Sequence, residues 1–143
     1  MMRRFLAALL IAFSAGVAQA ADAPKKGDEK GDVGQYVELQ PVGLPIVSNG
    51  RLVNYVFVYV RINLTSSANV AKLREKEPFF RDALVRAGHR TPFSHPKDLS
   101  QVDVPRLTAA MTRSAAAIAG PGQIRNVVVT SQAPRRRMAT PHA

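Results

Sequence analysis

The chain has 143 residues and a formal charge of +10, and it contains no cysteine. This length fits a single domain, and the lack of cysteine excludes disulfides, thiol catalysis, cysteine-ligated zinc and an acylated lipoprotein anchor. The excess of positive charge can attract polyanions and anionic surfaces. Solubility alone is an equally good explanation of this charge.

The first twenty residues have the pattern of a secretory signal peptide. Arg3 and Arg4 precede an apolar run over Phe5–Val17, and an A-x-A cleavage site ends at Ala20. The run is shorter than the roughly 20 apolar residues that a spanning helix needs, so we expect cleavage after Ala20, with an uncleaved anchor as the alternative. Cleavage removes 2 of the 20 Lys and Arg residues and leaves 18 basic and 10 acidic residues, a charge of +8. The predicted location is a bacterial periplasm, free or in association with the inner membrane.

A linker and a hairpin are predicted next. Residues 21–35 are rich in Gly, Pro and alternating charges, which is typical of a flexible linker. Tyr36–Val42 and Gly43–Val47 have the composition of two short strands, and their prolines favour a sheet edge. Ser48-Asn49-Gly50 is typical of a tight hairpin turn, because Asn and Gly tolerate positive φ.

The stretch from Leu52 to Thr65 carries the strongest strand signal. It alternates with a period of two, which predicts a long strand that pairs antiparallel with Tyr36–Val47. One face is aliphatic, with Val56, Val58, Val60, Ile62 and Leu64. The other face carries Tyr55, Phe57 and Tyr59, followed by Arg61, Asn63 and Thr65. The three aromatic residues are either packing residues or, if helices cover only the aliphatic face, an exposed partner site.

Three helical segments follow. Thr65-Ser66-Ser67 predicts the N-cap of a helix over residues 68–76. Pro78–Gly88 has apolar residues at helical spacing, with Gly88 as its expected stop. After a proline-containing loop, Asp103 is expected to cap a last helix that ends at Gly120-Pro121-Gly122. The inward stripe predicted for that helix is Leu107, Met111, Ser114 and Ile118.

The last strand is predicted over Ile124–Ser131, where three consecutive valines, Val127 to Val129, indicate burial on both faces or a position in mid-sheet. The domain is expected to span residues 36–132. Residues 133–143, with Arg135, Arg136 and Arg137, lack periodicity and are predicted to form a disordered basic tail able to contact anionic lipid or polymer. The predicted fold class is α+β, with a small mixed or antiparallel sheet of about four strands and two or three helices on one face.

Nothing in the sequence has a catalytic signature. His89 and His95 share a loop but lack a metal-ligand spacing, Ser94 beside His95 lacks an orienting group, and His142 falls in the tail. Gly120-Pro121-Gly122 follows a helix and precedes a strand, which is the reverse of a phosphate-binding loop. We therefore predict a non-enzymatic protein without catalytic, cofactor-binding or metal-binding residues. The candidate partner-binding residues are Tyr55, Phe57, Tyr59, Arg135, Arg136 and Arg137.

The order and spacing of these segments resemble the periplasmic domain of FliL, the flagellar basal-body-associated protein family. The segments that carry the resemblance are the strand Tyr36–Pro41, the end of the long strand at Arg61–Leu64, the helix Pro78–Val85, the loop positions Thr91 and Leu99, and the closing strand Ile124–Ser131. Pro78–Val85 is similar to the family's "P.IRDALI" helix, and Ile124–Ser131 is similar to its "I..V.FT.FV.Q" strand. The similarity covers about residues 36–132.

This resemblance implies a stomatin-like α+β domain without catalysis. FliL assembles beside the flagellar stator, and related domains form rings by lateral contacts. The implied partners are therefore a membrane-embedded or periplasmic protein and other copies of the chain, and nucleic acid is not expected. FliL keeps an N-terminal transmembrane helix, whereas a cleavable signal is predicted here. The alternative function is a basic periplasmic protein that binds anionic envelope polymers or lipid headgroups.

Overall fold

A computed structural model describes residues 34–137, so the predicted signal peptide, nearly all of the predicted linker and His142 lie outside the described residues. The elements in chain order are β1 (Tyr36–Glu38), β2 (Val42–Ser48), β3 (Arg51–Leu64), α1 (Val70–Glu75), α2 (Glu77–Arg90), α3 (Val104–Ala119) and β4 (Ile124–Pro134). Every strand pairing is antiparallel. The described chain therefore has one antiparallel sheet and three helices, which confirms the predicted α+β class.

The long strand β3 is the centre of the sheet. β1 pairs with residues 61–63 and β2 with residues 51–58, while β4 pairs with residues 56–64. Because β4 overlaps the range of both short strands, β1 and β2 must lie together along the opposite edge of β3. They behave as one strand interrupted around Pro41, and across the break the backbone N–H of Leu39 still donates to the carbonyl of Val60 at 2.9 Å.

The turn between β2 and β3 has the predicted hairpin geometry. Ser48 pairs with Arg51, and the two residues between them, Asn49 and Gly50, have φ values of 51° and 72°. Positive φ at both central positions is the geometry of the turn whose twist matches that of paired strands. The register of the hairpin shifts once between Ile46 and Val47, and beyond this shift the aliphatic side chains from Val56 to Leu64 lie on one face.

The core lies between that aliphatic face and the helices. Five side chains of β3 are at most 1% exposed: Val56, Val58, Val60, Ile62 and Leu64. They belong to one cluster with buried side chains from all three helices, namely Leu73, Phe80, Leu84, Leu107, Met111 and Ala115. The helices therefore cover the aliphatic face, as the alternation predicted.

Two helix ends differ from the sequence-based expectation. The N-cap of α1 is Asn69, not Thr65-Ser66-Ser67, and its Oδ1 accepts the N–H of Lys72 at 3.1 Å. Gly88 does not stop α2, which continues to Arg90. Gly88 is buried against Leu44, and a Cβ atom at this position would lie 2.7 Å from Leu44 Cδ2. Glycine therefore allows a close approach of helix to sheet here, because a side chain at this position would force Leu44 to shift.

The last helix, α3, begins and ends where predicted. The Asp103 carboxylate accepts the N–H of Arg106 at 3.3 Å, and Gly120 follows the last residue with a φ of 92°. The predicted stripe is wrong at Ser114, which is only half-buried, as is Ile118. The fully buried positions are Leu107, Met111 and Ala115, four residues apart, because Ala115 rather than Ser114 lies in the core cluster.

The final strand, β4, is an edge strand, so the expectation of a mid-sheet position is wrong. Among the described strands it pairs with β3 alone. Val127 is buried, whereas Val128 and Val129 are half-buried. Contact with α3 accounts for the apolar character of this strand on one face. The strand also continues to Pro134, beyond the expected end of the domain at residue 132, because its last residues still pair with β3.

Candidate functional site

The helices leave the second face of the sheet uncovered. The side chains of Tyr55, Phe57 and Tyr59 on β3 alternate with the buried aliphatic residues and so lie on this face. Phe57 is 44% exposed and Tyr59 is 41% exposed, while Tyr55 is half-buried. We call this surface the open face. Phe57 and Tyr59 are therefore exposed, whereas Tyr55 is partly packed, and the use of these residues as a partner site stays a prediction.

Small residues flank the aromatic rings. Phe57 pairs with Gly43 on β2 and with Ala133 on β4. Its ring lies across the glycine, since a Cβ atom on Gly43 would be only 3.2 Å from Phe57 Cε1. Tyr59 pairs with Ser131 on β4. Because these neighbours are small, much of the surface of both rings stays exposed.

The other end of the open face is polar. The Arg61 guanidinium lies 4.2 Å from the centre of the Tyr36 ring, a cation–π contact. It also pairs with the Glu38 carboxylate at 3.4 Å, although its buried Nε has no hydrogen-bond partner in the described residues. Asn63 donates to the side chain of Asn126 at 2.7 Å. The polar groups at this end are thus largely engaged with one another, and the exposed apolar surface is confined to the aromatic end.

The structure brings two of the predicted tail arginines to the aromatic end. The backbone N–H of Arg135 donates to the carbonyl of Tyr55 at 2.8 Å. Arg136 follows and lines a small depression of about 100 Å³ together with Leu52 and Tyr55. Leu52 is 54% exposed. Aromatic, aliphatic and cationic groups therefore meet at one end of the open face. Arg137 is exposed, and no contact of its side chain places it in this group.

Sequence reasoning missed Asn54, the one buried polar side chain in the described residues, which is 4% exposed. Its Nδ2 donates to the carbonyls of Leu99 and Arg136 at 3.1 and 2.8 Å. Its Oδ1 accepts the N–H groups of Arg136 and Tyr55 at 3.2 and 2.9 Å. This single amide holds the end of β4 beside β3, and so it positions the arginines next to Tyr55. The signal was present in the sequence, because Asn54 occupies an aliphatic position of the alternation.

The loop residues considered for catalysis are used in local structure. The Ser94 hydroxyl donates to the carbonyl of Val47 and accepts its N–H, both at 2.9 Å, which ties the loop to β2. His95 Nδ1 accepts the N–H groups of Lys97 and Asp98, both at 3.0 Å, and so closes a turn. Neither side chain contacts the other within hydrogen-bond distance, so they do not form a nucleophile and base pair in this arrangement.

The expectation that His89 shares this loop is wrong, because α2 extends to Arg90, and both His89 and the loop residue Asp98 are engaged locally. His89 Nδ1 lies 2.8 Å from the carbonyl of Val85 one turn earlier in α2. The Asp98 carboxylate accepts from the N–H of Ser100 and from the side chain of Gln101. Across residues 34–137, no three His, Asp or Glu side chains lie close enough together to hold a metal ion.

A scan against models of known protein families finds no match for this sequence. A search of curated proteins finds no similar sequence either. Within the described residues, no helix combines the length and the apolar character needed to cross a bilayer.

Proposed function

We propose that this chain is a non-enzymatic, exported interaction domain, similar to the FliL periplasmic domain, which docks a protein partner on its open face. The observation that carries the proposal is the exposure of Phe57 and Tyr59 on a sheet face that none of the three described helices covers. Contiguous exposed aromatic surface rimmed by polar residues is typical of protein interaction sites. Aromatic residues and arginine are also the residue types that most often dominate binding at interfaces.

The composition of the open face defines the kind of partner. Leu52 and Tyr55 line a depression with Arg135 and Arg136, and the exposed rings of Phe57 and Tyr59 follow along the same strand. A partner that fits presents an apolar patch with acidic groups at its rim, because opposite charges steer the encounter and the apolar area supplies affinity. The predicted export and the resemblance to FliL favour a membrane-embedded or periplasmic protein, such as a component of the flagellar motor, and a homo-oligomer is the second option.

Site-specific photo-crosslinking in the native envelope tests this proposal. A photoreactive phenylalanine analogue replaces Tyr59 on the open face, and mass spectrometry identifies the adduct. The matched control carries the analogue at Phe79 of α2, which is 64% exposed but does not lie on the sheet. We expect a discrete adduct with an envelope protein from position 59 and none from position 79. The same products from both positions, or none from position 59, would contradict the proposal.

Substitution adds a quantitative arm to this experiment. We expect Phe57→Ser with Tyr59→Ser to reduce recovery of the cross-linked partner at least tenfold when the analogue is placed at Leu52. Phe79→Ser removes an exposed aromatic side chain of the same size from the helical layer, and it should leave recovery unchanged. The urea unfolding midpoint of each variant shows that the fold is intact, because all three side chains are exposed.

A second candidate function is binding of anionic envelope polymers or lipid headgroups by the basic surface. It is favoured by Arg135 and Arg136, which are exposed and lie together beside Tyr55. Salt separates the two candidates, because the Debye length falls from about 10 Å at 0.1 M to about 3 Å at 1 M ionic strength. Polymer binding should weaken steeply over that range, whereas docking on an apolar face should persist.

N-terminal mapping of the mature chain shows whether the signal is cleaved.

A further inference from the structure

A cleft between α2 and α3 is lined by three arginines. Arg90 is the last residue of α2, and Arg106 and Arg113 both belong to α3. Seven residues separate the latter two, so they lie on the same side of the helix about 10 Å apart along its axis. The cleft has a volume of about 450 Å³. We call it the arginine cleft.

The three guanidinium groups have no anionic partner in the described residues. Arg61, Arg81 and Arg86 each pair with a carboxylate, whereas Arg90, Arg106 and Arg113 form no ion pair and no side-chain hydrogen bond within residues 34–137. The residues that line the cleft in this part of the chain include no acidic one. Three like charges around one concave surface repel each other and raise the local positive potential, so a bound anion would stabilise the arrangement.

The floor of the arginine cleft is mainly apolar. Ala87, Phe93, Ala109 and Ala110 line it, together with Thr91 and Ser114. The volume of the cleft lies within the range of roughly 300–1,000 Å³ that is typical of small-molecule sites. A ligand that fills this space therefore needs an anionic part for the arginines and an apolar part for the floor.

We propose that the arginine cleft binds a phosphate ester that carries an apolar group. Phosphate offers up to two negative charges and three acceptor oxygens, which match the forked donors of guanidinium groups. Three such groups around one cleft suit a phosphate better than a single carboxylate, which brings one charge and two oxygens. A lipid headgroup and a soluble phosphate ester share this chemistry. The site lies in the helical layer and is independent of the docking function proposed for the open face.

Calorimetric titration of the full chain at constant ionic strength tests the assignment, with phenyl phosphate and inorganic phosphate as the probes. We expect saturable binding with one site, and at least threefold tighter binding of phenyl phosphate because its ring reaches the apolar floor. Arg106→Gln with Arg113→Gln should weaken binding at least tenfold. Arg74→Gln removes one positive charge from α1, outside the cleft, and should change binding less than twofold.

A second arm identifies the source of the phosphate. Phosphatidylcholine vesicles with and without phosphatidic acid are sedimented with the wild type and with the Arg106→Gln, Arg113→Gln variant. Binding to phosphatidic acid that the variant loses assigns a lipid headgroup, and binding of phenyl phosphate alone assigns a soluble ester. The proposal is overturned if neither probe saturates, or if Arg74→Gln weakens binding as much as the cleft variant. Equal affinity for inorganic and phenyl phosphate overturns the requirement for an apolar group.

Discussion

At the scale of single residues, Asn54 links the sheet, the loop before α3 and the end of β4. Four hydrogen bonds surround its buried amide, and two of them hold Arg136. When one partner of a buried hydrogen bond is removed, the remaining donor or acceptor is left unsatisfied. The resulting loss of stability is larger than the net contribution of the bond itself. The Asn54 side chain therefore helps to place Arg136 at the end of β4.

Asn54→Leu tests this role, because leucine has a similar shape and no polar atoms. We expect the free energy of unfolding to fall by about 1–3 kcal/mol, since backbone groups of Leu99 and Arg136 lose their partners. Asn63→Leu is the matched control, because Asn63 lies on the open face and its bond to Asn126 is exposed. Its effect should stay within about 0.5 kcal/mol. Urea unfolding measures both, and equal losses in the two variants would contradict the assigned role.

Single residues also show how far the sequence predicts structure. The exposure of Phe57 and Tyr59 was one of two interpretations, because alternation shows that the aliphatic face needs a cover but not whether the second face is covered as well. The N-cap of α1 at Asn69 and the continuation of α2 beyond Gly88 to Arg90 were also not predicted. A glycine near the end of an apolar stripe is typical of a stop, and only the tertiary contact with Leu44 shows that it lies inside the helix.

At the scale of elements, α3 approaches the sheet closely because one of its alanines faces the core. Ala115 is fully buried, whereas Ala116 and Ala117 are exposed. The run of three alanines from Ala115 to Ala117 does not by itself distinguish the buried position from its neighbours. The spacing from Leu107 through Met111 identifies Ala115, four residues further on.

Ala115→Leu should therefore destabilise the protein. A larger side chain at a closely packed position forces backbone shifts or strained rotamers that cost roughly 1–3 kcal/mol. Ala116→Leu introduces the same side chain one residue later on the exposed side of α3, and we expect a change within about 0.5 kcal/mol. Thermal unfolding of both variants checks the prediction. A similar loss from both substitutions would show that α3 is not packed on the sheet through Ala115.

Local sequence signals predicted the β2–β3 hairpin and the start of α3 correctly. They did not predict that β4 lies at the edge of the sheet. The turn at Asn49 and Gly50 and the cap at Asp103 depend on the chemistry of a few adjacent residues. The position of β4 depends on pairing with residues far away in sequence. The valine run at Val127 to Val129 is consistent with a central strand or with an edge strand packed under a helix, and nothing local decides between them.

At the scale of the whole molecule, the folded domain extends further toward the C-terminus than its sequence predicted. Arg135 and Arg136 are bonded to β3 through Tyr55 and Asn54, although a stretch with three consecutive arginines is typical of a solvated tail. The sequence alone therefore does not show that these basic residues lie beside the aromatic row of Tyr55, Phe57 and Tyr59. Their position depends on backbone hydrogen bonds rather than on side-chain character.

Two truncations test this boundary. A chain that ends at Pro134 loses the hydrogen bonds that the backbones of Arg135 and Arg136 form with Tyr55 and Asn54. Because the buried Asn54 amide is then left without two of its partners, we expect the free energy of unfolding to fall by about 1–3 kcal/mol. A chain that ends at Arg137 retains these bonds and should match the full chain. Combining the shorter truncation with Asn54→Leu should cost much less than the sum, because both changes remove the same bonds. Full additivity in urea unfolding would contradict this coupling.

The aromatic row of the open face belongs to the only described strand with neighbours on both edges. Tyr55 is held between Pro45 and the backbone of Arg135, and Phe57 between Gly43 and Ala133. The backbone that carries these rings is therefore already ordered by folding, before any partner binds. Association then has to restrict only the side-chain rotamers, at roughly 0.5–1.5 kcal/mol for each. Such preorganisation lets a surface of modest area hold a partner that the same rings on a mobile loop would release.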